Sequence, residues 1–225
     1  VVGQILCRGN KYFSDQQIKS YISQKEGNPV DPRRLTFDLE ALNSNPFRQT
    51  DAMFKPGEIE GTSDIELLTK DRRTYRLYAG GDNTGYQDTG SERWFAGLNL
   101  GNLFYKDHRF TYQFTTSSNY NDFFAHTGQY TLPLPWRHIF MVYGGFSETR
   151  AEITEGSGFF SRGRSYQASS RYEIPLPPYR QFLHSATIGY DWKHTNVNLT
   201  FEGEPVLGNS VNISQFTVNY NAGYE

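Results

Sequence analysis

Arg109-Phe110-Thr111-Tyr112-Gln113-Phe114-Thr115-Thr116 decides the fold: Phe110, Tyr112 and Phe114 fall on one side of an extended chain, Arg109, Thr111, Gln113 and Thr115 on the other. A side-chain period of two predicts a strand with one apolar and one polar face. The pattern recurs. Tyr166, Ala168, Tyr172 and Ile174 oppose Gln167, Ser169, Arg171 and Glu173. Near the end of the chain Phe216, Val218, Tyr220, Ala222 and Tyr224 oppose Thr217, Asn219, Asn221 and Gly223. From Thr74 onward about eight such segments follow one another, with no helical period between them.

Three features set the apolar faces against lipid. The segments run about 9–11 residues, the length a tilted strand needs to cross a bilayer. Trp94, Trp192 and Tyr224 stand near the ends of apolar faces, where an interface would lie. The opposite faces carry Arg and Glu among Gln, Ser and Thr, as a wet lumen would. The connections also alternate in kind. Longer polar loops are expected at 81–90, 117–122, 152–163 and 194–210, and tight turns around Gly101-Asn102, at 132–137 and at 176–181. Gly and Asn are expected to supply the positive φ angles of the hairpins. Long loops on one side and short turns on the other is the pattern of a transmembrane barrel. Arg162-Gly163, in the third long loop, reads as an ordinary loop pair. By strand parity Arg76, Arg93, Arg109, Arg171 and Glu173 are expected to line the pore. The arginines either conduct a hydrated chain or ions, or pair with Glu173 and other acids inside the barrel.

The composition agrees. The 225 residues carry 22 Lys+Arg against 24 Asp+Glu, a net charge of −2, with no basic stripe of the kind a nucleic-acid binder needs. Mean hydropathy is −0.67, and no apolar run approaches the ~18 residues of a membrane-crossing helix. A β-barrel is compatible with both, because alternation averages to a polar value. Sixteen Tyr and 17 Phe suit interfacial girdles, although a soluble aromatic-rich sandwich shares that composition. Cys7, the single cysteine, excludes an intrachain disulfide and reads as a small buried apolar residue. Val1-Val2-Gly3-Gln4 lacks the basic and apolar regions of a signal peptide, so the sequence reads as a mature or truncated segment.

Residues 1–73 differ in character and predict an α+β unit ordered β-α-α-β-β. A short strand ends at Gly9-Asn10. Ser14 with Gln17 forms a capping box for a first helix with Ile18, Tyr21 and Ile22 on its apolar stripe. Asp31-Pro32 starts a second helix, which buries Leu35, Leu39 and Leu42. Strands at 49–54 and 65–69 follow, joined by a loop containing Lys55-Pro56-Gly57.

Leu42-Asn43-Ser44-Asn45-Pro46-Phe47-Arg48, Lys55-Pro56-Gly57 and Gly61-Thr62-Ser63-Asp64-Ile65 resemble the last POTRA domain of the TpsB transporters of two-partner secretion, the ShlB/FhaC type within the BamA-like superfamily. Gly81-Asp82-Asn83-Thr84-Gly85, Thr89-Gly90 and Leu98-Asn99-Leu100-Gly101-Asn102 resemble that family's first barrel hairpin, and Arg171-Tyr172-Glu173-Ile174-Pro175-Leu176-Pro177 its sixth strand. The resemblance implies a periplasmic POTRA domain at 1–73 and, at 74–225, strands one to eight of a sixteen-stranded barrel in the outer membrane of a Gram-negative bacterium. The family's arginine-bearing sixth extracellular loop would lie beyond Glu225. Because open sheet edges are forbidden in lipid, the remaining strands are expected from missing sequence or another chain.

The sequence offers no phosphate loop, no His-Glu-x-x-His pair and no nucleophile elbow. His108, His126, His138, His184 and His194 lack metal-ligand spacing. No catalysis, metal or cofactor is expected. The implied function is translocation of an unfolded exoprotein, with outer-membrane lipid as the other partner. The family fold places the second POTRA strand (Gln49, Thr50, Asp51, Ala52, Met53, Phe54) at a sheet edge, open to an extended peptide, with Arg34, Phe37 and Asp38 of the second helix as a groove wall. The competing readings are a BamA-like insertase and a nutrient- or haem-uptake or structural barrel.

Overall fold

The computed structural model describes residues 1–153, 158–179, 182–202 and 204–224. Both helices start as their caps dictate. Ser14 Oγ accepts from the Gln17 N–H while the Gln17 side chain accepts from the Ser14 N–H, opening α1 (Asp15–Ser20). Asp31 accepts from the N–H groups of Arg33 and Arg34 ahead of α2 (Pro32–Asn43). Neither helix is long and apolar enough to cross a membrane, which says nothing of strands.

The helices cover a three-stranded sheet of order β1 (Val2–Arg8), β3 (Ser63–Asp71), β2 (Arg48–Pro56), with β1 parallel and β2 antiparallel to β3. Val2, Ile5, Phe13, Ile18, Leu35, Leu42, Phe47, Ile65 and Leu67 form its core. Among the described residues, these are all the buried apolar side chains of the chain.

The second sheet is a meander of eight antiparallel strands, each bonded to its sequence neighbour: β4 (Tyr75–Asp82), β5 (Arg93–Leu103), β6 (His108–Ser117), β7 (Phe123–Pro133), β8 (Ile139–Glu152), β9 (Phe159–Tyr179), β10 (Phe182–Phe201) and β11 (Glu204–Tyr224). Its burial is inverted. What it buries is polar, including Ser117, Thr131, Ser169, Thr187 and Asp191, while Leu77, Phe216 and Val218 are at least 75% exposed. An apolar outer face of this extent requires an apolar surrounding.

Several expectations are corrected here. The loop expected at 194–210 is strand: Val197 pairs with Asn209 and Leu199 with Leu207, and β10 and β11 reach 20 and 21 residues. At ~3.3 Å per residue such strands run about twice the length a bilayer requires, and in their outer halves the apolar residues change face: Val197, Leu199 and Phe201 share the side of Asp191, opposite Asn196, Asn198 and Thr200. Asn-rich sequence there mimics a loop. For the same reason Trp192 lies in mid-strand, not at an end. The 152–163 loop shrinks because β9 begins at Phe159; residues 154–157 lie outside the described set, as do 180–181 of the turn expected at 176–181 and the side chain of Tyr224. Gly101 and Asn102 belong to β5, and the turn follows them. Its positive φ angles, and that of the next turn on the same side, fall on Phe104 (57°), Tyr105 (56°), Asp107 (62°) and Arg137 (71°) rather than on Gly or Asn. Bulky side chains in that region cost energy and persist only where surrounding contacts enforce them.

Candidate functional site

Two of these residues, Asp107 and Arg137, make contacts that join the two sheets. Asp107, in the β5–β6 turn, accepts hydrogen bonds from Arg48 Nη2 (2.6 Å), Asn45 Nδ2 (2.5 Å) and the Tyr21 hydroxyl. The Arg48 and Asp107 side chains are 0% and 5% exposed. The Arg48 guanidinium also donates to the Leu42 carbonyl (2.8 Å) and packs on the rings of Phe13 and Tyr21, 4.6 and 4.9 Å from their centroids. Burial pushes the Tyr21 phenol well above its ordinary pKa, and the neighbouring Asp107 adds to the shift, so Tyr21 remains a proton donor. Asn45 also donates to the Gly101 carbonyl (2.5 Å), and Phe47 packs so closely on Gly101 that a Cβ there would overlap its ring.

A second contact uses the β7–β8 turn. Arg137 Nη2 lies 2.5 Å from Asp38 Oδ1 and donates to the Tyr21 carbonyl (3.1 Å), while Asp38 Oδ2 accepts from the N–H and hydroxyl of Ser23. Arg109 donates to the Ser44 carbonyl (2.6 Å). The buried Asp38 carboxylate tolerates little displacement of Arg137, because it would remain desolvated without its partner.

The joint sets the N-terminal unit against the face of the large sheet that carries Arg76, Arg109 and Glu173. A cavity of about 340 Å³ is lined there by Phe47 and Arg72 from one side and by Arg76, Asn99, Arg109 and Glu173 from the other. The ladder registers place Arg76, Arg93, Arg109, Arg171 and Glu173 on one face, but they do not act as one group. Arg171 forks onto Asp191 (2.8 and 2.9 Å) rather than pairing with Glu173. Arg93 is buried at the far end of its strand, donating to the carbonyls of Thr89, Gly90 and Glu92 and packing on Phe123.

Of the residues expected along the sheet edge, β2 does stand at an edge, with Gln49, Asp51, Met53 and Phe54 exposed. Thr50 is not open: its N–H donates to Asn43 Oδ1 (2.7 Å) and its carbonyl accepts from Asn43 Nδ2 (2.9 Å). By strand alternation the outward-facing backbone groups continue at Ala52 and Phe54. Arg34 is exposed, but the groove wall expected beside it is not formed by its neighbours. Asp38 is fully buried in the joint, and Phe37 lies under Arg137, 5.4 Å from ring centroid to guanidinium. Asn45, Arg48, Asp107 and Arg137 were not legible as partners in sequence. The available signal was a charged residue in each of the two short turns, Asp107 and Arg137.

Comparison with known proteins agrees with this architecture. Residues 1–75 match the POTRA family, described as surface antigen variable number repeat. CdiB from Escherichia coli has a similar structure, with a TM-score of 0.81 at 18% identity, covering 100% of this chain and 42% of that one. CdiB from Acinetobacter baumannii aligns at a TM-score of 0.63 and 19% identity over 97% of this chain and 42% of that one. BamA from Haemophilus ducreyi lacking POTRA domains 1–3 aligns at 0.57 and 14% identity over 100% and 44%. The chain thus spans under half the length of these solved structures. No curated protein sequence matches. Residues 61–224 match the haemolysin secretion/activation protein family ShlB/FhaC/HecB, and with a POTRA unit docked beneath an eight-stranded antiparallel sheet the chain belongs to that family of TpsB-type transporters.

Proposed function

We propose that the chain forms the capture domain (residues 1–73) and the first half of the pore (residues 74–225) of an outer-membrane transporter that secretes an unfolded exoprotein. The supporting observation is the buried joint, which holds Pro46 and Phe47, just ahead of β2, against a cavity shared with the arginine-bearing face of the large sheet. A peptide added to the β2 edge at Ala52 and Phe54 would gain main-chain hydrogen bonds there. That face of the large sheet, lined by Gln, Ser, Thr and paired arginines, offers exchangeable hydrogen bonds to a passing hydrated chain. Strands completing the barrel would pair with β4 and β11, whose open edges lipid does not tolerate.

Ala52→Pro in the full-length transporter tests the edge. It removes an outward donor, and exoprotein binding is expected to fall about tenfold or more while the barrel still assembles. Thr50→Pro is a poorer probe because Asn43 already occupies that donor. Secretion at the normal rate by a folded Ala52→Pro transporter would contradict edge capture.

A further inference from the structure

The outer wall of the barrel carries a charged cluster that secretion does not use. Outward positions of β8 run Phe140, Val142, Gly144, Phe146, against Tyr172, Ser170, Ala168, Tyr166 on β9. The next two rungs are Glu148 opposite Arg164 and Arg150 opposite Arg162. The apolar wall therefore ends in three arginines and one acid.

Glu148 organises the group. One carboxylate oxygen binds Arg162 and the other binds Arg164 Nε at 2.8 Å. The Glu148 side chain is 14% exposed, whereas those of Arg162 and Arg164 are 47% and 41% exposed. The acid lies beneath and the cations face outward. Arg150 packs over the Phe160 ring, 4.3 Å from its centroid. With three arginines against Glu148 and, on the next rung opposite Phe160, Glu152, the patch keeps a net positive charge.

Its height is informative. Tyr172, bonded to Trp136 Nε1 (3.0 Å) and His138 Nδ1 (2.7 Å), marks the aromatic level on the side of the joint. Arg162 stands ten residues along the same strand. At ~3.3 Å per residue and a tilt of ~40°, that is ~25 Å along the membrane normal, the height of a barrel's apolar band. Between these two levels, Phe124, Phe146 and Tyr166 pack edge-on and tilted at centroid separations of 5.6 and 4.9 Å.

We infer that Arg150, Arg162 and Arg164 form a docking site on the outer wall for a lipid whose headgroup carries phosphate, an inference that rests on the apolar face meeting lipid. Guanidinium groups match phosphate oxygens as forks, and Glu148 holds two of them in place before the lipid arrives, which lowers the ordering cost of binding. Acyl chains of such a lipid would lie along Phe146, Val142 and Phe140.

The test uses the full-length transporter purified in detergent, exposed to phosphatidylcholine vesicles containing a bis-phosphorylated glycolipid, and then delipidated. Retained glycolipid is counted by native mass spectrometry. The wild type is expected to keep it. Retention should fall about tenfold or more in the Arg150→Gln, Arg162→Gln, Arg164→Gln triple variant, and equally when the glycolipid is dephosphorylated. A control triple on the exposed surface of the N-terminal unit, Lys19→Gln, Lys25→Gln, Arg33→Gln, should retain it normally. Equal retention by the arginine variant, equal retention of the dephosphorylated lipid, or full displacement by inorganic phosphate would each overturn the lipid site. Folding of both triples is checked by heat-modifiable gel mobility, and replacing Arg162 and Arg164 alone gives a milder variant. A transporter that fails to enter vesicles would overturn the lipid-facing reading as well, whereas normal insertion without glycolipid retention sinks this site only.

Discussion

Asp107 shows how much one residue does at the joint. It adopts a φ that non-glycine residues rarely take, and it is buried with a cation, an amide and a phenol aimed at it. Asparagine tolerates the same backbone region, so Asp107→Asn removes the charge while keeping the turn. Arg48 would then stay buried without its counter-ion, at a cost of about 3–5 kcal/mol. Expected outcomes are loss of amide protection in the 104–107 turn by hydrogen exchange and a lower urea midpoint for the N-terminal unit, with the barrel intact. Unchanged protection would show that the pair does not hold the joint. Gly101→Ala tests the same contact from the opposite side. Its methyl enters the space of the Phe47 ring, so Phe47 must be displaced and protection lost at both residues.

Elements were read from sequence where one physical rule governed them alone. The caps at Ser14 and Asp31, and the alternation of Arg109 to Thr116, carry their meaning locally, and all three elements form as expected. The upper halves of β10 and β11 escaped, because their Asn and Ser residues read as a loop while Val197, Leu199, Val211 and Ile213 sit on the opposite face from the apolar residues below, and the pairing that orders them is something no single segment reveals. The joint escaped because Arg48 and Asp107 are 59 positions apart and each looks like an ordinary surface charge. β3 gives a prediction at this scale. The hydrogen bond from Lys55 holds the Glu66 carboxyl below the ordinary range against the opposing effect of burial, and the nearby Lys55 and Arg8 charges help. A depressed folded value means this contribution is present above the unfolded pKa and lost as pH falls through the folded one. Acid titration of the wild type should therefore destabilise the N-terminal unit, and Glu66→Gln should flatten that dependence. An unaltered pH profile in the variant would remove Glu66 from the account.

Taken whole, the molecule joins two opposite solutions to burial. The N-terminal unit hides its apolar residues inside, and the eight-stranded sheet turns them outward while burying Thr131, Ser169 and Asp191. A boundary between water and lipid would stabilise both at once, and the proposed placement sets the joint on one side of it and the arginine rungs on the other. Planar-bilayer conductance of the purified full-length transporter tests this most directly. Discrete pore currents, appearing only with protein whose gel mobility is heat-modifiable, are the predicted result. Protein that stays soluble without detergent and passes no current would contradict the lipid-facing wall, and the residues after Thr74 would then have to bury Phe216, Val218 and Leu77 against protein instead.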